Sequence, residues 1–321
     1  MDNANTLVTI FGGSGFLGTQ LVQVLARQGY RIRVAVRRPD LAGHVKTLGG
    51  VGQVMPIQAN VRNVESVVRA VHGAHIVISL VGIGYERGAQ RFRAVHMMGA
   101  QNIAEAAKAA GATALVHVSA LGADDQSPSA YARSKALGET AVLAAFTDAV
   151  IIRPSIMFGP GDGFFNLMGA LSRYFPVLPL IGGGSRFQPV YVGDVADAVA
   201  AAATGVVKAG RIYELGGPET VTYRELMQRV LRETGRHNPL LPVPAALGKL
   251  LAFPFALLPF PPLLTGDQVD LLQADNMVSE AAIKEKRALA AFGIEPTPMD
   301  AILPTYMWRF RKHGQFDRLA A

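Results

Sequence analysis

The chain has 321 residues, half of them hydrophobic and only 17% charged, so it can bury a sizeable core and is too apolar to be disordered. It has no cysteine, which excludes disulfides, thiolate metal sites and thiol catalysis, and no metal site is expected. The net charge is +7, and residues 1–150 hold most of the surplus, with 14 basic and 9 acidic side chains. With no nucleic-acid-binding motif and no basic run interleaved with aromatics, a phosphate-bearing small ligand is the economical reading of that surplus.

The first predicted element is a strand over 6–11. Gly12-Gly13-Ser14-Gly15-Phe16-Leu17-Gly18 follows at once and leads into a helix over 16–28. Glycine permits a tight turn and the close approach of a pyrophosphate, and the helix end offers free N–H groups and a positive dipole. The strand–glycine–helix order is the context a dinucleotide site requires. A second strand over 31–36 ends at Arg37-Arg38-Pro39. NAD binders usually carry Asp or Glu there for the ribose hydroxyl. Here an arginine can pair with a 2′-phosphate, so NADPH (NADP) is expected over NADH, solvated surface charge being the alternative.

A strand over 53–58 brings Asn60 and Val61 towards the adenine edge. After a helix over 63–72, a strand over 75–81 brings Leu80, Val81 and Gly82 to the adenosine ribose. A helix over 90–110 and a strand over 114–118 come next. The helix over 129–145 opens with Tyr131-Ala132-Arg133-Ser134-Lys135. Four residues apart, Tyr131 and Lys135 share a helix face. The ammonium should lower the phenol pKa and make Tyr131 an acid/base, while Lys135 can also hold the nicotinamide ribose. Strands over 149–153 and 211–215 and a helix over 194–204 complete the alternation. This is an α/β class fold, a doubly wound parallel Rossmann sheet. Beyond about residue 218 the pattern is helical (222–234, 246–252, 267–274, 281–291, 299–312) and broken by prolines. The expected division is a nucleotide-binding domain over 1–158 and 186–218, and a smaller, mostly helical lobe over 159–185 and 219–321.

These residues carry a resemblance. The glycine pattern, Tyr131 and Lys135, Arg153-Pro154 and Gln188–Val195 resemble an extended short-chain dehydrogenase. His117–Ala123, Arg153–Pro160 with Phe164-Phe165-Asn166, Leu215–Glu219, Thr265–Val269 and Asp275-Asn276 are similar to the NADPH-binding accessory subunits of respiratory complex I and their alphaproteobacterial relatives. The resemblance implies a Rossmann fold holding NADPH, with Pro154 and Ser119 beside the nicotinamide, complex I subunits as partners, and a place at the cytoplasmic face of the inner membrane.

Departures from an active dehydrogenase accompany it. Active members polarise the substrate with a Ser or Thr after the fifth strand. Ser119 ends that strand here, either as a vestige of that group or bonded to nearby backbone, and two residues further the chain has Leu121. The active-site Asn of the fourth helix is replaced by His96, as a new catalyst or a structural residue. Asn238–Gly266 has Lys249 as its only charge and seven prolines. Its Leu250, Leu251, Phe253, Phe255, Leu257, Leu258, Phe260, Leu263 and Leu264 are either core or an exposed patch for a protein or membrane. The basic end Arg309–His313 could approach an anionic leaflet. No signal peptide or membrane-spanning helix is expected. A structural or assembly role with bound nucleotide is expected first, and an active NADP-dependent oxidoreductase or epimerase second.

Overall fold

The computed structural model describes residues 3–257 and 261–312. Leu258, Phe260 and His313 lie outside the described residues, as do the side chains of Phe255 and Leu257. The chain divides into two compact units. One comprises Met1–Pro154, Val192–Leu215 and Ser279–Glu295; the other comprises Ser155–Tyr191, Gly216–Val278 and Pro296–Ala321.

In the first unit, strands and helices alternate as β1 (Leu7–Phe11), α1 (Phe16–Arg27), β2 (Arg31–Val36), β3 (Val54–Gln58), α2 (Val64–Val71), β4 (Ile76–Ser79), α3 (Met98–Ala109), β5 (Ala114–Val118), α4 (Ala130–Ala145), β6 (Val150–Pro154), α5 (Val192–Ala203) and β7 (Ile212–Leu215). Every pairing is parallel, in the order β7-β6-β5-β4-β1-β2-β3. The central strands carry β-branched side chains buried on both faces: Val8, Ile10, Val77 and Ile78 have no exposed surface. That double burial is why the strands read as unbroken apolar runs rather than alternating ones. The strand order reverses between β1 and β4, and ligands of such sheets bind beyond the carboxyl ends of the strands at that reversal.

Two predicted helices of this unit are broken. The span 90–110 is a π-helical turn, Arg93–Met97, followed by α3. The span 281–291 is a short helix, Glu280–Lys284, and a 3-10 turn, Leu289–Phe292, separated by Lys286 with φ at +55°. This stretch belongs to the first unit rather than the helical lobe. It lies along β7, where the N–H groups of Glu214 and Ser279 donate to Arg287 O and Glu214 Oε2.

The second unit holds the helices Phe164–Tyr174, Tyr223–Thr234, Ala245–Leu257, Gly266–Leu271 and Met299–Met307. The first of these was not predicted. Short strand pairs support them: Met157–Phe158 with Val190–Tyr191, Arg186–Phe187 with Val221–Thr222, and Leu178–Leu180 with Leu240–Pro242. Its core gathers Phe158, Phe165, Leu226, Val230 and Leu303. Thr222 opens Tyr223–Thr234 with a capping box closed by Glu225. Among the described residues no helix is long and apolar enough to cross a membrane.

Candidate functional site

The first unit brings most of the predicted site residues to one sheet edge. Gly12 follows β1 with φ at +81°, a value that favours glycine, and its N–H donates to Ala35 O. A Cβ built on Gly18 would lie 2.5 Å from Gly12 O and 2.6 Å from Gly13 Cα, so only glycine lets α1 pack on the turn. A Cβ on Gly15 would meet only Gly12 O, at 3.3 Å, and stands otherwise in open space. No side chain caps α1, which leaves its first N–H groups to be satisfied by something else. These features fit a pyrophosphate at the end of α1; Ser14 lies in the turn, and Phe16 and Leu17 open the helix.

The flanking loops follow suit. Arg37 and Arg38 stand exposed after β2. Arg38 is paired with Asp40 at 2.7 Å, whereas Arg37 has no ion-pair partner among the described residues. Of the two, Arg37 is the arginine open to a 2′-phosphate. Asn60 spends its Oδ1 on Arg62 N and its own N–H on Ser66 Oγ, and Val61 O is held by Asn102 Nδ2. Leu80, Val81 and Gly82 leave β4 beside the Gly12 turn.

Tyr131 and Lys135 lie one turn apart on α4, which Ser129 caps through Ala132 N. The Tyr131 ring meets Phe92 and His96 edge-on, at 5.8 and 5.4 Å. Lys135 is buried, and its Nζ donates to Val118 O at 3.0 Å. Burial pushes its pKa down to about 8, against the pull of the Glu139 carboxylate. Ser119 follows β5, one residue beyond that carbonyl. Its N–H donates to Ile152 O, but its buried hydroxyl has no partner among the described residues, so of the two alternatives for this side chain the backbone bond is not formed. Leu121 N donates to Pro154 O at the end of β6.

His96 is held through both ring nitrogens. Its Nε2 accepts from Ile83 N at 2.9 Å, so its proton sits on Nδ1, 2.8 Å from Ser134 Oγ, which in turn donates to Tyr131 O. Both ring nitrogens are thereby spent on joining the loop after β4 to the first turn of α4. Burial first, and Lys135 second, lower its pKa to about 3, so the ring is neutral. The π-helical turn carries this ring inward, in keeping with the habit of such turns to sit at functional sites.

Three groups of this site escaped the sequence reading. His117 on β5 is fully enclosed, with its pKa lowered to about 3 by burial and its Nδ1 unpartnered among the described residues. Arg153 on β6 grips Glu139 of α4 through two bonds, at 2.9 and 2.6 Å, and approaches Glu214 of β7 at 3.7 Å. Ser134 lies inside the Tyr131–Lys135 motif, and its spacing to Tyr131 was the only available signal. Among the described residues no group of His, Asp and Glu is arranged to hold a metal ion.

Residues 8–216 match the family model described as the NAD dependent epimerase/dehydratase family. A curated relative is NADH dehydrogenase [ubiquinone] 1 alpha subcomplex subunit 9, mitochondrial, of Arabidopsis thaliana. It is 38% identical over 291 residues, 87% of this chain and 72% of that protein. Another is the ceramide reductase of Caulobacter vibrioides, 38% identical over 194 residues, 60% of each chain. Among solved structures, UDP-glucose 4-epimerase of Thermotoga maritima superposes with a TM-score of 0.70 at 17% identity, over 96% of this chain and 99% of that one, which shows a shared fold.

Proposed function

The chain belongs to the NAD dependent epimerase/dehydratase family, in the group of the alpha subcomplex subunit 9 proteins, and from that premise we propose that it is an NADP(H)-binding accessory subunit of respiratory complex I. In this role the nucleotide is held for stability and assembly rather than turned over. The glycine cradle at α1 and the unpaired Arg37 support tight binding of NADPH. When bound, the nucleotide would supply hydride chemistry, but the residues that would aim it at a substrate are incomplete. The observation that carries the reading is the pair Leu121 and His96: an aliphatic side chain stands in place of the polarising hydroxyl, and the histidine has both nitrogens committed to the scaffold.

The test is to isolate the native protein from membranes and identify the nucleotide and subunits that travel with it. Complex I subunits and bound NADPH are expected together. In parallel, Tyr131→Phe, which removes only a hydroxyl, should leave respiratory NADH oxidation nearly unchanged. Loss of function in a folded, NADPH-loaded Tyr131→Phe protein would overturn the structural role.

One observation favours a second reading. The Ser119 hydroxyl is buried and unpartnered beside the carbonyl that holds Lys135, a place where a substrate or nicotinamide oxygen would satisfy it. With Tyr131 as proton donor, that geometry suits an NADP-dependent reductase of an apolar carbonyl compound. The Caulobacter ceramide reductase gives a substrate class to try first.

A further inference from the structure

The second unit keeps an apolar surface uncovered. Helix Ala245–Leu257 buries a narrow stripe of small residues: Ala252 is enclosed, and a Cβ on Gly248 would lie 2.8 Å from Ile181 Cδ1. Its outward side ought to be polar if water were its neighbour. Instead it presents Leu247, Leu250, Leu251 and Phe253, with Leu250 67% exposed and Phe253 64% exposed. Its one charge, Lys249, is held by Asp270 at 2.6 Å.

The surface continues into neighbouring segments. Strand Leu240–Pro242, which leads into this helix, pairs with Leu178–Leu180, and just before that strand Tyr174, Phe175 and Val177 are exposed. Asn238 Nδ2 ties the two segments by donating to Ser172 O and Phe175 O.

The flank of this surface is cationic. Arg173 lies over the Tyr174 ring. Arg236 donates to Phe310 O, Arg311 to Glu233 O and Arg309 to the Asn166 side chain, and Phe310 packs on Gly169 in the same helix as Arg173. Among the described residues Arg173, Arg236, Arg309, Arg311 and Lys312 have no carboxylate partner. By contrast, Arg229 and Arg232 on the Tyr223–Thr234 helix are paired with Glu219, Glu233 and Asp300.

We propose that this apolar surface with its unpaired cations is a docking face for an anionic phospholipid bilayer, with Leu250 and Phe253 entering the headgroup–acyl boundary and Arg173, Arg311 and Lys312 meeting phosphates. The chemistry decides for lipid. Leucine, phenylalanine and proline dispersed without fixed polar partners suit a fluid apolar phase. The cationic flank matches an anionic leaflet, to which such charges add affinity additively. A helix of 13 residues, interrupted by Pro254, is too short to span and suited to lie in the interface. The proposal concerns the isolated chain and stands apart from the assignment to complex I, so vesicle binding and assembly can fail separately.

The experiment is co-sedimentation of the full chain with vesicles of phosphatidylcholine alone and of phosphatidylcholine with about one third cardiolipin. Binding is expected to the second, at least about tenfold tighter than to the first and weakening with salt. Leu250→Ser with Phe253→Ser should lower binding to both vesicles about tenfold or more. Arg311→Gln with Lys312→Gln should lower only the cardiolipin arm. Equal or absent binding of the unaltered chain to the two vesicles would overturn the proposal. So would sedimentation velocity showing that the Leu250→Ser, Phe253→Ser pair abolishes a dimer in a chain that does not bind lipid. Because the comparison of vesicles uses the unaltered chain, it decides the matter even if a variant fails to fold.

Discussion

The two units treat their polar and apolar groups in opposite ways. The first buries polarity: His96, His117, Ser119, Ser134, Lys135 and Glu139 lie beneath the surface near the carboxyl edge of the sheet, most of them tied by short bonds. The second exposes apolarity, from Tyr174 to Phe253. Buried polar groups are costly unless each finds a partner, so they mark places where geometry must be held fixed. Exposed apolar groups forgo stabilisation that burial would give, so they mark places where a partner is met. The first unit is therefore built to hold a small ligand in one orientation, and the second to present a surface.

The largest effect is expected at the glycine turn. Gly15 has open space and an ordinary φ of −82°, so Gly15→Asp should fold but set a carboxylate against the phosphates. A ligand that binds only the native state at a thousand times its dissociation constant adds about 4 kcal/mol. Melting curves with and without NADPH should show that gain in the unaltered chain and none in Gly15→Asp. An equal NADPH-induced shift in both would remove the dinucleotide from this site.

Lys135 offers the next effect. Its pKa is about 8 in the native state and 10.5 ordinarily, so between those values the unfolded chain holds a proton that the native chain lacks. Stability must then rise with pH across that window, by roughly 3 kcal/mol, the burial cost being fully present below pH 8. Lys135→Met, similar in volume and without charge, should flatten that rise. Urea unfolding from pH 7 to 10.5 measures the difference, and parallel curves would mean that the ammonium is solvated.

Legibility in the sequence followed the same division. The strands of the first unit were readable to within a residue or two because parallel strands buried on both faces are continuous apolar runs, and the glycines were readable because backbone geometry admits nothing else at Gly12 and Gly18. Tyr131 and Lys135 were readable from helix spacing. His117 and the Arg153–Glu139 pair were not, because they depend on which strands are neighbours, and β5 meets β6 and β6 meets β7 only after long crossovers. In the second unit, helix Phe164–Tyr174 was missed because its start is fixed by Asp162, which accepts from Phe165 N and Asn166 N, among glycines that read as loop. Two- and three-residue strands such as Met157–Phe158 have too few positions to show a period.

Arg37 is expected to give a smaller effect. It is the unpaired arginine at the end of β2, and a charge-assisted bond to a 2′-phosphate is worth roughly 1.5–3 kcal/mol. Calorimetry should find NADPH bound about tenfold or more tighter than NADH, and Arg37→Ala should narrow that gap without changing NADH affinity. If the two nucleotides bind the unaltered chain equally, Arg37 is only a solvated charge and the surplus of the first 150 residues needs another explanation.

The smallest effect tests whether the second unit also contains a polar site or only polar scaffolding. Asp162 is buried, and its carboxylate accepts from Phe165 N at 2.6 Å, from Gly159 N at 3.3 Å and from the Tyr306 hydroxyl at 2.5 Å. Burial raises its pKa, while these donors oppose the rise. Tyr306→Phe removes one donor and leaves the backbone donors in place, so the loss should be about 1 kcal/mol rather than the larger cost of an abandoned charge. The sign of its pH dependence follows from the direction of the shift. The native carboxyl holds its proton more tightly than the unfolded one. The deficit of Tyr306→Phe is therefore full at neutral pH and shrinks as pH falls through the raised native value, because a protonated Asp162 has less need of the lost donor. NADPH affinity should not move, since the change lies in the unit that holds no part of the glycine cradle. Thermal unfolding at pH 7 and pH 4.5 with a nucleotide titration checks all three expectations. A variant that keeps its stability but loses NADPH would make Tyr306 and Asp162 part of the ligand site and erase the division of labour between the units.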